Sequence, residues 1–222
     1  MHHLSLTIFF ALFLPFTLVQ FSSCLPLPDL TALTVLSQVL SAPSEGILPA
    51  LGPTSENTVL ATFIGSYGDH DYNLNGTVQE VMAQLKEMHP GVELENGEVM
   101  GLVARNKIKP PLCVPVAGQD WTAAFMSHID AGIFYLNNLH TRLGISAKSC
   151  SRISCSYDSA IYLCNDNGYY IAPASTYIAS YAQDLVNLCT TGSFDKFPDY
   201  RKTGGQEFDS DGYNVIVKQD SC

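Results

Sequence analysis

Six cysteines in the second half of the chain are the residues whose chemistry is clearest, because paired thiols oxidise to disulfides. An even number of cysteines is typical of a disulfide framework in an exported protein. We therefore expect three disulfides and no free thiol among them. Six cysteines allow fifteen pairings, so spacing alone leaves the connectivity open. The six are Cys113, Cys150, Cys155, Cys164, Cys189 and Cys222.

Acidic and histidine side chains offer weaker candidates. Asp69, His70 and Asp71 could each ligate a metal, but three adjacent side chains do not converge on one ion, so we expect a polar loop. The segment Asp209–Gly212 resembles the start of a calcium loop but lacks its later acidic ligands, which predicts a turn. The sequence contains no G-x-S-x-G elbow and no phosphate-binding glycine motif. It indicates no metal and no cofactor.

Tyrosines are dense towards the C-terminus. A tyrosine offers a large rigid contact area with a polar tip, which suits recognition of a protein or a glycan. The alternative is that half of these side chains pack inside the fold. The tyrosines that we expect on a binding surface are Tyr157, Tyr169, Tyr170 and Tyr200.

The sequence contains one candidate site for N-linked glycosylation. Asn75-Gly76-Thr77 is a sequon for N-linked glycosylation, and it lies in a polar segment. We expect Asn75 to carry a glycan if the chain is exported.

The N-terminal residues 1–24 have the layout of a signal peptide. An apolar run from Leu4 to Phe21 is followed by Ser22, Ser23 and Cys24, and the segment contains no acidic residue. We expect cleavage after Cys24, which removes the seventh cysteine. No later run is long and apolar enough to predict a membrane span. The sequence therefore predicts a secreted, extracellular protein without stable membrane insertion.

Charge narrows the set of partners. The net charge is −10, with only 11 Lys and Arg residues in 222. Such a surface repels nucleic-acid phosphates and anionic lipid, so we expect no nucleic-acid partner. We expect a monomer.

The first half of the mature chain contains two segments without cysteine. Residues 25–57 hold several prolines and predict a linker or a pro-segment, with an ordered arm as the alternative. Residues 58–107 predict a small β-α-β-β unit: a strand, an amphipathic helix over 77–89, and a hairpin turning at Asn96-Gly97. This unit either packs on the cysteine-rich half or serves as a propeptide-like chaperone.

Residues 108–222 predict an α+β fold in the order β-α-β-β-α-β. We expect a helix from Asp120 capped by Gly144, a hairpin turning at Tyr157-Asp158, and a helix from Ser175. Two helices covering one face of a four-stranded sheet give a ferredoxin-like, disulfide-stapled two-layer sandwich. We expect Cys189 to tie the second helix to the hairpin and Cys222 to fasten the C-terminus.

Four segments of this half resemble small, secreted, cysteine-rich fungal proteins of the killer-toxin-like or effector-like α/β sandwich type. The resemblance covers Leu112 to Cys222 and implies an extracellular fungal protein acting on a host or a competitor. It implies no catalytic residues. The segments are DAGIFYLNNL, CSRISCSYDSAIYLCNDN, YIASYAQDLVNLC and NVIVKQDSC.

Three function classes follow from these observations. The first is a secreted, effector-like or toxin-like binding protein without catalysis. The second is an extracellular hydrolase that uses carboxylates such as Asp130 or Asp166. The third is a secreted protease inhibitor. A cleft with two convergent carboxylates would favour the hydrolase, and an exposed tyrosine-rich patch would favour binding.

Overall fold

The computed structural model describes residues 52–92, 106–193 and 200–222. The predicted signal peptide, most of the predicted 25–57 linker and the predicted hairpin at Asn96-Gly97 lie outside the described residues. The helices within the described ranges are α1 (Val78–Met88), α2 (Met126–Leu139) and α3 (Ser175–Cys189). The strands are β1 (Thr62–Tyr67), β2 (His70–Asn75), β3 (Lys107–Cys113), β4 (Ala124–Phe125), β5 (Arg142–Gly144), β6 (Ser149–Ser156), β7 (Ser159–Asn165), β8 (Lys202–Thr203), β9 (Gly205–Asp209) and β10 (Tyr213–Gln219).

An antiparallel sheet of five strands, in the order β3-β9-β10-β7-β6, is the centre of this arrangement. Helices α2 and α3 pack together on one face of it, against buried Ile153, Leu163 and Val215. The prediction of an α+β sandwich is therefore confirmed. The ferredoxin-like strand order is wrong, because β9 pairs with β10 and leaves β3 at the edge of the sheet.

The opposite face of the sheet has a smaller core of its own. Trp121 and Val116, from the segment that follows β3, cover Ile216 and Tyr162 there. Alternation explains this arrangement, since Ile216 points away from the face that carries its neighbours Val215 and Val217. The central strands are thus buried on both sides.

Helix α2 begins later and ends earlier than the sequence predicts. It begins at Met126 rather than Asp120, because Ala124 and Phe125 are extended and pair with β8. Trp121 consequently lies on the other face of the sheet and not on the helical stripe. The helix ends at Leu139, with His140 in the left-handed conformation, and the expected cap Gly144 instead belongs to strand β5.

Two strands precede α1 where the sequence predicts one. The expected polar loop at His70 is strand β2, which pairs with β1 across a two-residue turn at Gly68-Asp69. Strand β1 also pairs with β5, so the N-terminal unit packs on the cysteine-rich part and shares its main core. The amphipathic helix is confirmed as α1, and Thr77 and Glu80 form a capping box at its start.

Three disulfides fasten the sandwich, as predicted. Cys113–Cys189 joins β3 to the end of α3, and Cys150–Cys164 links directly opposite residues of β6 and β7. Cys155–Cys222 fastens the C-terminus to β6, as expected. The expectation that Cys189 reaches the hairpin is wrong, because the end of α3 lies over the edge strand β3. Each bridge stabilises the fold by about 2–4 kcal/mol.

The two edges of the five-stranded sheet are protected in different ways. Strand β3 contains Pro110 and Pro111, which have no N–H to offer, and its pairing with β9 is interrupted between Ile108 and Leu112. Strand β6 is covered by the segment before β1, where the N–H of Val59 donates to the carbonyl of Cys150 at 2.9 Å. No helix among the described residues is both long and apolar enough to cross a bilayer.

Replacement of Ile133 by Asp tests the assigned face of α2. Ile133 is 4% exposed, so the variant places a carboxylate without a partner in the main core. We expect a loss of several kcal/mol in the free energy of unfolding, measured by chemical denaturation. The matched control is the neighbouring Phe134→Asp, at a side chain that is 56% exposed, which should change stability by about 0.5 kcal/mol or less. Equal stability of the two variants would contradict the packing described above.

Candidate functional site

A surface cleft of about 1030 Å³ lies where the loop after β7, the start of α3 and the β9–β10 turn meet. Four tyrosines contribute to its lining, and we call it the tyrosine cleft. Charged and polar side chains of the lining include Arg142, Asn106, Asn167 and Asp211. The four tyrosines are Tyr169, Tyr170, Tyr177 and Tyr213.

The loop after β7 forms the first wall of the cleft, and the side chain of Asn165, at the end of β7, holds this loop in place. Its side chain is fully buried, and its amide donates to the carbonyl oxygens of Tyr169 at 2.7 Å and Ser146 at 3.0 Å. Its side-chain oxygen accepts from the N–H of Asn167 at 3.0 Å. Both the NH2 group and the oxygen of this buried amide are therefore hydrogen-bonded, which stabilises the conformation of the loop around it.

The same wall is also paired with β5 and with Ile145, the residue that follows it. Ile145 and Ile171 exchange backbone hydrogen bonds of 3.0 and 3.1 Å, and the N–H of Leu143 donates to Pro173 at 2.9 Å. Tyr170 lies directly over Gly144, so that a methyl group at Gly144 would overlap the Tyr170 hydroxyl. The absent side chain at Gly144 therefore makes room for the ring.

The β9–β10 turn forms the opposite wall. The side-chain carboxylate of Asp209 accepts from the N–H of Asp211 at 2.7 Å, and Gly212 adopts a positive φ of 78°. Asn167 reaches across from the first wall and donates to the carbonyls of Asp211 and Gly212, both at 2.9 Å. The turn predicted at this calcium-like segment is thus present, and it is tied to the other wall.

Asp209 also organises the floor of the cleft. Its second carboxylate oxygen accepts hydrogen bonds from Tyr177, at 3.2 Å, and from Tyr181. Burial, with the charge of Asp209 added to it, raises the pKa of Tyr181 and of Tyr213 well above the usual tyrosine value. The floor hydroxyls therefore stay protonated and can donate to Asp209.

The predicted binding-surface tyrosines do not share one surface. Tyr169 and Tyr170 line the cleft. Tyr157 lies at the opposite end of the β6–β7 hairpin, where its ring stacks on His128 at 4.6 Å between centroids. Tyr200 is exposed beside β8, near the far end of α3. The structure brings two of the four together. Asn165 is a residue of this site that the sequence does not single out, and Asp209 is predicted only as part of a turn and not as a residue of the cleft floor.

The other candidates lie apart from the cleft. His70 stacks on His89 with 3.9 Å between ring centroids, and Asp71 accepts from Ser66 at 2.6 Å. Among the described residues, no three His, Cys, Asp or Glu side chains come together to hold a metal ion. Asn75 is exposed at the end of β2, where its side chain accepts a hydrogen bond from Thr62 at 2.9 Å.

The carboxylates considered for hydrolysis are not among the described residues that line the cleft, although Asp166 is next to the lining residue Asn167. Asp130 is on α2, and Asp166 follows β7 and accepts from the Asn214 side chain at 2.8 Å. A different pair of carboxyl groups, Asp184 and Glu207, interact with each other, and the sequence does not single them out.

Asp184 and Glu207 belong to a charged cluster between α3 and the sheet. Lys107 and Lys109 of β3 contact the Asp184 carboxylate at 2.8 and 2.7 Å. Glu207 of β9 is fully buried, and neither of its side-chain oxygens has a hydrogen-bond partner. Its closest cation is Lys109, at 3.9 Å. Lys107 in turn lies 4.3 Å from the centre of the Tyr181 ring, which connects this cluster to the cleft floor.

The two carboxyl groups of the cluster are shifted in opposite directions. Burial opposes ionisation of Asp184, but hydrogen bonds from Lys107 and Lys109 outweigh it and hold the pKa below its usual value. Burial, together with the negative charge of Asp184, raises the pKa of Glu207 to about 7. Such a separation is found in acid–base pairs, but a fully buried Glu207 is closed to a substrate.

The chain matches no protein-family model, and neither a curated protein nor a solved structure is significantly similar to it. The resemblance to killer-toxin-like and effector-like fungal proteins therefore stays a prediction.

The raised pKa of Glu207 predicts that the stability of the fold depends on pH. Because its pKa rises from 4.5 to about 7 on folding, the folded chain retains a proton that the unfolded chain releases between these values. The stability that this proton contributes is fully present below pH 4.5 and is lost as the pH rises to about 7. The free energy of unfolding falls by roughly 3 kcal/mol over this range. The free energy of unfolding is measured with urea at pH 5 and pH 8 for the wild type and for Glu207→Gln. The difference between the two pH values should be smaller in Glu207→Gln than in the wild type by this amount.

The exposed helix residue Glu87 provides the matched control. Glu87→Gln should keep the pH dependence of the wild type, since this side chain lies outside the buried cluster. If the free energy of unfolding of Glu207→Gln declined with pH as steeply as that of Glu87→Gln, the burial of a protonated Glu207 would be ruled out.

Proposed function

We propose that the mature chain is a secreted, effector-like or toxin-like binding protein that recognises a host or competitor target without catalysis. The tyrosine cleft is its recognition site, and the target is a protein or a glycan. The observation that carries the proposal is the exposure of Tyr169 and Tyr170, 62% and 53%, on a wall that hydrogen bonds hold rigid. Rigid tyrosines around a concavity favour binding because little side-chain entropy is lost on contact.

The chemistry of the lining supports binding over hydrolysis. Among the described residues that line the cleft, Asp211 is the single acidic one, and its carboxylate accepts a hydrogen bond from Asn106 at 2.9 Å. Hydrolysis by a carboxylate pair needs a second carboxyl group facing the same substrate. The Asp209 carboxylate below the cleft is occupied by its tyrosine partners.

The expected place of action rests on the cysteines. Three disulfides persist in an oxidising compartment, and a five-stranded sheet fastened at its edge, hairpin and C-terminus suits an extracellular protein. Fungal origin and secretion are part of the proposal, on the resemblance and the N-terminal layout described above.

Removing both exposed cleft tyrosines should abolish target capture. The tagged secreted protein is incubated with host extracts and with cell-wall glycans, and bound material is quantified. The double variant Tyr169→Ala with Tyr170→Ala should retain less than a tenth of the wild-type capture, since aromatic anchors dominate binding energies. Its melting temperature should stay close to that of the wild type, because both rings are more than half exposed.

The control for this experiment is Tyr157→Ala with Tyr200→Ala. These tyrosines are also exposed, but both lie away from the cleft. Capture by this control should equal that of the wild type. Loss of capture in the control but not in the cleft variant would place recognition elsewhere and refute the proposed site.

Secretion through a glycosylating pathway predicts a glycan on Asn75. The wild-type protein recovered from the medium should lose mass after treatment with an N-glycosidase, and Asn75→Gln should run at that lower mass without treatment. Thr77→Ser, which preserves the sequon, is the control and should keep the glycan. A protein in the medium that the glycosidase leaves unchanged would contradict the use of this site.

A further inference from the structure

We propose that the tyrosine cleft binds a neutral oligosaccharide, an inference that rests on the proposed function and names the class of its ligand. The cleft volume of about 1030 Å³ is at the upper end of the range of roughly 300–1,000 Å³ usual for small-molecule sites. An extended ligand of several linked units suits this size better than a single metabolite.

The exposed rings provide the apolar half of the recognition. Tyr169 and Tyr170 are neighbours on the rim, and both present more than half of their side chains to solvent. A pyranose ring has a flat face of C–H groups that stacks on an aromatic ring, while its hydroxyls stay at the edge. Tyrosine matches this pattern because its ring is apolar and its tip is polar.

The opposite side of the lining provides the polar half. Asn106 donates to the Asp211 carboxylate, and Asn167 donates to the two backbone carbonyls of the turn. These groups are therefore oriented before any ligand arrives. Sugar hydroxyls both donate and accept, so they can use carboxylate oxygens and the guanidinium of Arg142 in the same cleft.

Charge selects a neutral ligand over an acidic one. Arg142 and Asp211 contribute one positive and one negative charge to the described lining, so their charges cancel. The chain as a whole carries −10, which repels polyanions at a distance. An acidic glycan would meet one cation in a negatively charged protein.

Backbone pairing distinguishes this cleft from a groove for an extended peptide. A peptide that adds as a strand needs unpaired N–H and C=O groups along an edge. Here the wall is already paired with β5 at Leu143–Pro173 and with the residue after β5 at Ile145–Ile171. The turn is paired too, since the N–H of Asp166 donates to Gly212 at 3.0 Å.

The inference is tested with an array of neutral oligosaccharides of the β-glucan, xylan, mannan and chitin types, with acidic pectic fragments included. The full secreted protein should bind at least one neutral series, and calorimetry with that oligosaccharide then gives its affinity. Tyr169→Ala should weaken this affinity by at least tenfold. Tyr157→Ala should leave it unchanged.

Gly144→Ala provides a second variant that removes no ligand contact. The added methyl group overlaps the Tyr170 hydroxyl, which must move, while the backbone at this strand position accepts alanine. We expect a tenfold or greater loss of oligosaccharide affinity at nearly unchanged melting temperature. This result would locate the sugar on the Tyr170 side of the cleft.

The outcomes separate this inference from the proposed function. If no neutral oligosaccharide binds, but capture of a protein target still depends on Tyr169 and Tyr170, the ligand class is overturned and the cleft remains a binding site. Binding confined to the acidic fragments overturns the neutral class. If neither sugar binding nor target capture depends on the two tyrosines, the inference and the proposed function both fall.

Discussion

Strand β10 is buried on both faces, and this double burial is the constraint to which the rest of the sandwich responds. Val215 and Val217 enter the main core beneath the helices, while Ile216 enters the second core on the reverse side. Two helices cover one face, so the chain between β3 and β4 must cover the other, and Trp121 does so. Burial of both faces also explains why three consecutive residues at the middle of β10, Val215, Ile216 and Val217, are apolar instead of alternating with polar residues.

Strand β9, next to β10, carries acidic side chains that lie between the sheet and helix α3. Gly205, Glu207 and Asp209 alternate along one side of the strand, and Glu207 and Asp209 interact with residues of α3 and β3. Asp209 finds hydroxyl partners and so fixes the cleft floor, whereas Glu207 finds none and remains protonated more readily. Helix α3 is held to β3 twice, by the ion pairs of Asp184 and by Cys113–Cys189. One strand therefore links the buried cluster to the floor of the tyrosine cleft.

Local patterns predicted the elements whose partners are close in sequence. Helices α1 and α3 follow the 3.6-residue period, and the β6–β7 hairpin follows its turn. The start of α2 could not be predicted, because Trp121 and Phe125 continue the helical spacing while a strand far along the chain, β8, imposes an extended backbone. For the cleft, composition pointed to Tyr169 and Tyr170 but equally to Tyr157 and Tyr200, since only tertiary structure decides which rings face one concavity.

The prolines of β3 have a consequence for how this protein behaves when concentrated. A sheet edge is a template on which further strands can assemble, and repeated addition produces fibres. At Pro110 and Pro111 an incoming strand meets two positions without an N–H donor, and Lys109 beside them places a charge at the same place. The opposite edge is already occupied by the segment ending at Val59. Colloidal solubility is thus built into the sheet itself, independently of the acidic surface.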